Sequence, residues 1–150
     1  MNAGMTLIVK TTARLVLTFI MVFAAALALY GHVTPGGGFA GGAVAACGLI
    51  LMLLAFGRLE TAKVVGKQGA STWECVGALG FLVIALVGYT AGMFFTNVLP
   101  EGETFRLLSA GTVLWSNVAI FVKITAGLFA VYAVLAAFRM AEEPTQEERP

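Results

Sequence analysis

Charged residues are scarce in this 150-residue chain, and aspartate is absent. Lys, Arg, Asp and Glu make up 11% of the residues, whereas apolar and aromatic residues make up 59%, and the mean hydropathy is +0.93. Soluble domains carry about 25% charged residues, so a water-facing surface of this composition would aggregate. The composition therefore excludes an ordinary soluble globule and predicts a protein embedded in a lipid bilayer. A net charge of +1 without a basic cluster also excludes nucleic acid as a partner.

The sequence also has few residues that carry chemistry. It contains one histidine, His32, and two cysteines, Cys47 and Cys75. A structural zinc site needs four ligands and a catalytic one three, and a nucleophilic triad needs a base with an orienting acid. The two cysteines are predicted at different depths, too far apart for a disulfide. We therefore expect no metal site, no cofactor and no catalytic residue in this chain.

Four apolar stretches lie between the charged positions, at residues 15–30, 39–56, 76–95 and 112–138. About 20 apolar residues in a helix cross a hydrocarbon core of roughly 30 Å, and lipid offers no hydrogen-bond partner to a non-helical backbone. The first helix is expected to begin earlier, near Thr6, because Lys10 and Arg14 share one face and can extend toward the interface. The sequence predicts an all-α membrane domain with four transmembrane helices over residues 1–140, followed by an acidic tail at 141–150.

The distribution of basic residues predicts the orientation of these helices, because Lys and Arg near helix ends are retained in the cytoplasm. With the N-terminus inside, the cytoplasmic side holds seven of them: Lys10, Arg14, Arg58, Lys63, Lys67, Arg139 and Arg149. Arg106 alone lies outside, and Lys123 lies within the membrane. We therefore expect both termini and the acidic tail in the cytoplasm.

The turn between the first two spans is rich in glycine. It comprises Gly31, His32, Val33, Thr34, Pro35, Gly36, Gly37, Gly38, Phe39, Ala40, Gly41 and Gly42. Glycine permits positive φ and close backbone approach, and Pro35 favours an extended Thr34, so we expect a tight outer turn. A phosphate-binding loop is excluded because no Lys-Ser/Thr follows. His32 is either an outer proton acceptor that titrates near neutral pH or, with Thr34, a residue that holds the turn.

Small residues recur at helical spacing and predict close contacts between helices. The predicted packing positions are Gly38, Gly42 and Ala46 in the second span, Gly88 and Gly92 in the third, and Gly127 in the fourth. Four small helices with several smooth faces have more packing surface than they can satisfy among themselves. The sequence therefore indicates a subunit embedded among other membrane chains, with a self-contained monomeric bundle as the alternative.

The segment 31–42 closely resembles the signature of the MnhB/MrpB family, small membrane subunits of Mrp-type multisubunit Na+/H+ antiporters. With the four hydrophobic spans, the resemblance covers roughly residues 6–140. It implies a non-catalytic, multi-pass subunit in the prokaryotic plasma membrane, within a complex that exchanges cytoplasmic Na+ for external H+ through larger partner subunits. The same subunit type resembles components of membrane-bound hydrogenases and ferredoxin-linked respiratory complexes. A redox-driven ion pump is therefore the alternative parent complex.

Lys123 is the one charged residue within a predicted span, about 12 Å below Trp115 at 1.5 Å per residue. A Lys at a helix centre costs about 2.5–3.5 kcal/mol, so it requires a partner or a path to the interface. Lys123 is therefore the ion-path candidate, paired with a carboxylate of a neighbouring subunit or lining a hydrated path. Extension of its stem to the interface is the structural alternative.

The eight glutamates are all expected in loops, near membrane surfaces or in the tail. Glu74 is expected at the edge of the third span, where it either caps the helix start or guides cations inward. The sequence thus predicts no carboxylate at membrane depth.

Overall fold

The computed structural model describes residues 5–65, 68–99 and 109–142, with side chains as far as Phe138. Within these ranges all regular structure is helical. The elements are α1 (Leu7–Leu29), α2 (Gly38–Phe56), α3 (Arg58–Val65), α4 (Gly69–Val87), a 3₁₀ turn (Gly88–Ala91) and α5 (Thr112–Glu142).

Four of the described helical stretches are long and apolar enough to cross a membrane: Leu7–Leu29, Gly38–Phe56, Arg58–Ala91 and Thr112–Phe138. The predicted all-α class with four membrane-crossing helices is confirmed. Cytoplasmic termini remain a prediction, and the predicted acidic tail lies outside the described residues from position 143 onward.

The third apolar helix differs from the range expected for it, 76–95. α4 begins at Gly69, because the polar segment before Val76 contains no proline and continues the helical hydrogen bonds, such as Thr72 N–H to the Gln68 carbonyl at 3.1 Å. At the other end, the 3₁₀ turn stops at Gly92, whose φ of +101° is a left-handed conformation that ends helices. The helix is therefore displaced toward the N-terminus relative to the apolar run.

The long helices lie side by side in the order α1, α2, α5, α4. α2 packs against α1 and α5, α5 packs against α4, and α1 touches α5 only slightly. Among the described residues α1 and α4 make no extensive contact, so the arrangement is a row and not a closed four-helix bundle. In the most apolar part of α5, only 11% of the residues are buried within the chain, against 39% in the corresponding part of α2. Most of the apolar surface is therefore left to lipid or to other chains.

Glycine and alanine make the contacts between these helices. The most buried alanines are Ala24, Ala28, Ala45, Ala46, Ala55 and Ala85. A Cβ added at Gly41 would lie 2.7 Å from the carbonyl oxygen of Ala24 in α1, and one added at Gly38 would overlap the backbone of Asn117 in α5. α2 can approach both neighbours this closely because these glycines have no side chain.

Replacing Gly77 by alanine should weaken the contact between α4 and α5. The added Cβ would lie 2.7 Å from the Lys123 amide nitrogen and 2.8 Å from the Ala119 carbonyl oxygen, and these backbone atoms move only if a helix moves. We expect a loss of about 1–3 kcal/mol in the free energy of unfolding. SDS titration of the purified chain in detergent, followed by circular dichroism, measures this loss.

Gly80→Ala is the matched control for this substitution. Its added Cβ would meet the Cβ of Ala119 at 3.8 Å, an ordinary contact distance on the same pair of helices. Equal stability of Gly77→Ala and Gly80→Ala would contradict the close approach at Gly77.

Candidate ion-path site

The glycine-rich segment folds back onto the last turn of α1. The N–H groups of Val33 and Thr34 each donate to the Tyr30 carbonyl at 2.9 Å, and the Thr34 hydroxyl donates to the same oxygen at 3.1 Å. Farther along, Gly37 N–H donates to the Leu27 carbonyl at 3.1 Å. These bonds close the connection between α1 and α2 into a tight turn.

Three glycines of this turn occupy positions that exclude or disfavour a side chain. A Cβ at Gly31 would overlap the backbone of Gly37, and Gly37 itself has a φ of +114°. Gly38 lies against the Asn117 backbone, and its N–H donates to the Asn117 side-chain Oδ1 in a long bond of 3.4 Å. The turn therefore sets the start of α2 directly against α5.

The remaining residues of the motif divide between the surface and the helix contacts. Pro35, Gly36 and Phe39 are exposed, and His32 is half-buried. The N-terminal part of α2 is buried at Gly41 and Gly42, with Ala46 one turn farther along. The motif thus combines an exposed turn with a packed helix start.

Gly88 and Gly92 shape the turn after α4 within this chain, and their expected role in helix packing stays a prediction. A Cβ at Gly88 would lie 2.6 Å from the amide nitrogens of Phe95 and Thr96, in the following turn of the same chain. Gly92 adopts its left-handed φ, and a Cβ added there would meet nothing within 4 Å. Gly88 is required by local packing and Gly92 by its backbone conformation. The spacing of small residues in the sequence does not distinguish these two requirements from packing between helices.

Lys123 lies near the middle of the 27-residue stretch Thr112–Phe138 and is exposed on the surface of the chain. Its backbone packs against Gly77 of α4. Gly127 lies one helical turn farther along α5, and the carboxylate of Glu74 lies 3.5 Å from the position of a Cβ added at Gly127. Lys123 and Glu74 therefore flank the same contact between α4 and α5.

Glu74 is the residue whose position the sequence did not predict correctly. α4 begins at Gly69, so Glu74 lies in the second turn of the helix, where it is half-buried against α5 instead of capping the helix start. The available signal was the spacing between Glu74 and Gly77, because residues three apart share a helix face. Glu74 therefore belongs to the contact between α4 and α5, and the absence of a carboxylate at membrane depth stays a prediction.

Side chains that could bind a metal ion or react as nucleophiles are not clustered in the described part of the chain. No group of three or more His, Cys, Asp and Glu residues there is placed to hold a metal ion, and both Cys47 and Cys75 are free thiols. An apolar cavity of about 230 Å³ lies between α2, α3, α4 and α5, with Trp73 and Thr125 in its lining. The charged residues Glu74 and Lys123 do not line this cavity.

Replacing Gly31 by alanine should disrupt the turn, because the new Cβ would overlap the backbone of Gly37. We expect a loss of about 1–3 kcal/mol in stability, measured by the temperature at which the detergent-solubilised chain loses its monodisperse elution peak. Gly36→Ala is the milder comparison, since its Cβ would overlap no backbone atom and would lie 3.2 Å from the Leu27 side chain and 3.3 Å from the Leu27 carbonyl oxygen. The turn geometry would be contradicted if Gly31→Ala were as stable as Gly36→Ala.

The apolar helices, the glycine turn and the lysine in an apolar helix define a small helical membrane protein of the multi-pass class. A family model described as a domain related to the MnhB subunit of Na+/H+ antiporter matches residues 8–130. The chain belongs to this MnhB family, as the resemblance of segment 31–42 predicted.

Two curated relatives show comparable similarity. An uncharacterized protein of Methanocaldococcus jannaschii is 34% identical over 107 residues, which cover 67% of this chain and 40% of that protein. A Na(+)/H(+) antiporter subunit of Bacillus subtilis strain 168 is 34% identical over 88 residues, which cover 59% of this chain and 59% of that protein. The aligned region thus spans about two fifths of the first relative and three fifths of the second.

Proposed function

We propose that this chain is a non-catalytic membrane subunit of a multisubunit cation/proton antiporter in a prokaryotic plasma membrane. In this proposal it supports assembly of the complex and contributes to the path for Na+/H+ exchange. Membership of the MnhB family supports the antiporter assignment, as does the similarity to the antiporter protein of Bacillus subtilis.

The open row of helices is the observation that carries the assembly role. Both broad faces of the row are formed by the apolar helices. In the most apolar part of α5, only 11% of the residues are buried within the chain. Helices in lipid associate through close packing and polar contacts, both of which other membrane subunits can provide on these faces. We therefore propose that partner subunits pack against the open faces of this row.

Lys123 supports a contribution to the ion path. Its side chain is exposed near the centre of α5, where an unpaired Lys facing lipid costs about 2.5–3.5 kcal/mol. A hydrated path or an opposite charge removes most of this cost. Charged residues in membrane helices accordingly mark ion and proton pathways.

Purification of the tagged chain from its native membrane in mild detergent tests the assembly role. We expect several other membrane subunits to co-purify, because the row leaves its faces open, and mass spectrometry identifies them. Iron–sulfur or hydrogenase subunits in the preparation would replace the antiporter with a redox-driven ion pump. Recovery of the chain alone from gently solubilised membranes would contradict a subunit role.

Lys123→Ala should reduce Na+-dependent proton exchange in membrane vesicles by about tenfold. A change of this size corresponds to a coupling free energy between sites in the usual range of ~1–3 kcal/mol. The co-purifying subunits should be unchanged. Lys63→Ala is the control, since Lys63 is an exposed α3 residue paired with Glu60 at 2.7 Å. Normal exchange by the assembled Lys123→Ala complex would exclude Lys123 from the ion path while leaving the assembly role intact.

A further inference from the structure

Glu74 packs against the middle of the longest apolar stretch of the chain that the structure describes without a break. Its carboxylate lies beside Gly127, which is near the middle of the apolar stretch Thr112–Phe138. At 1.5 Å per residue, Gly127 is roughly 16 Å from the nearer end of that stretch. The half-buried carboxylate of Glu74 therefore contacts α5 well inside its apolar stretch.

Lys123 is the oppositely charged group at the same helix contact. It lies one turn before Gly127 on α5, and its backbone touches Gly77, one turn after Glu74 on α4. Lys123 and Gly127 are four apart on α5, so the Lys123 Cβ lies about 5–6 Å from the position of a Cβ at Gly127, where the Glu74 carboxylate packs. Because both intervening residues are glycines, no side chain at those positions separates the two charges.

Glu74 and Lys123 lie at the same helix contact without forming a direct ion pair. Within the described residues, the ion pair closer than 4 Å is that of Lys63 with Glu60 in α3. A direct bridge would occupy the carboxylate of Glu74 with the Lys123 ammonium. Without one, the carboxylate oxygens of Glu74 are available to a proton.

We propose that Glu74 is a proton-binding carboxylate of this subunit and that Lys123 is its counter-charge across the α4–α5 contact. A proton from the path binds a Glu74 carboxylate oxygen, which neutralises the carboxylate and leaves Lys123 without its counter-charge. Release of the proton restores the pair of opposite charges. This inference rests on the proposed function, because it assigns the proton a binding group within the proposed ion path.

Few other ionisable groups face Glu74. α5 carries Lys123 and Tyr132 between Thr112 and Phe138, and α4 itself carries Cys75 next to Glu74. The 3₁₀ turn carries Tyr89 at the far end of α4, and α3 carries Arg58 together with the Glu60–Lys63 pair. Lys123 is therefore the cation that shares the α4–α5 contact with Glu74.

Labelling by dicyclohexylcarbodiimide tests the pair in the intact complex in native membrane vesicles. This reagent attacks protonated carboxyl groups in apolar surroundings, and peptide mass spectrometry measures the adduct on Glu74. Lys123→Met should raise the initial labelling rate of Glu74 by about tenfold, because the proposed counter-charge at the α4–α5 contact is removed. Lys123→Arg should restore the wild-type rate, since it retains the charge.

The Glu60–Lys63 pair supplies the matched control, because it is a Glu and Lys combination on the surface of the same chain. Lys63→Met should leave the labelling of Glu74 unchanged. Equal labelling of Glu74 in wild type and Lys123→Met would overturn the proposal, as would an equal increase in Lys63→Met. Co-purification of the partner subunits with each variant establishes that the compared complexes are assembled.

Proton exchange measured on the same vesicles separates this proposal from the proposed function. Glu74→Gln and Lys123→Met should each lower Na+-dependent exchange, and the double variant should be no worse than the poorer single variant, within about twofold. Exchange in wild type with labelling that is independent of Lys123 would refute the pair and leave the antiporter role. Labelling that depends on Lys123 in vesicles without exchange would support the pair and refute the antiporter role.

Discussion

The close approach of helix backbones at glycine positions is the constraint on which the rest of the structure depends. α2 meets α1 at Gly41 and α5 at Gly38 and Gly42, so one glycine-rich helix holds two neighbours. In a lipid bilayer, moving an apolar side chain from lipid into a helix contact gains little free energy. Membrane helices therefore associate where their backbones pack closely and where polar groups meet. The hydroxyl of Thr125 shows the second effect, since it donates to the Gly42 carbonyl at 3.3 Å across the contact.

The same constraint allows an apolar chain to hold two opposite charges at one helix contact. Gly77 brings α4 and α5 close together, and the absence of a side chain at Gly127 leaves space for the side chain of Glu74. Glu74 covers Gly127, and Lys123 extends from the backbone that packs on Gly77. Larger residues at the two glycines would separate the helices and fill the space beside the charges. The geometry that packs the helices therefore also places Glu74 and the Lys123 backbone at the same contact.

The number of helices and the family were predictable from the sequence, because each depends on a continuous local signal. Apolar length reports the membrane-crossing helices, and segment 31–42 carries the family signature. The packing of Glu74 against α5 was not predictable in this way, since α4 extends to Gly69 through residues that are helical but not strongly apolar. The role of Gly92 also depended on its φ of +101°, which spacing does not reveal.

The two sides of the α4–α5 contact differ in chemistry, and this difference orients the chain within its proposed complex. Trp73 and Ala126 line the apolar cavity, whereas Glu74 and Gly127, the next residues along each helix, form the carboxylate contact. Successive helix residues are about 100° apart, so the cavity and the carboxylate lie on different sides of the contact. The cavity side suits lipid chains or apolar side chains, because its lining is almost entirely hydrocarbon. A path for ions would therefore run on the side that carries Glu74 and Lys123, where polar groups of a partner or water can solvate both charges.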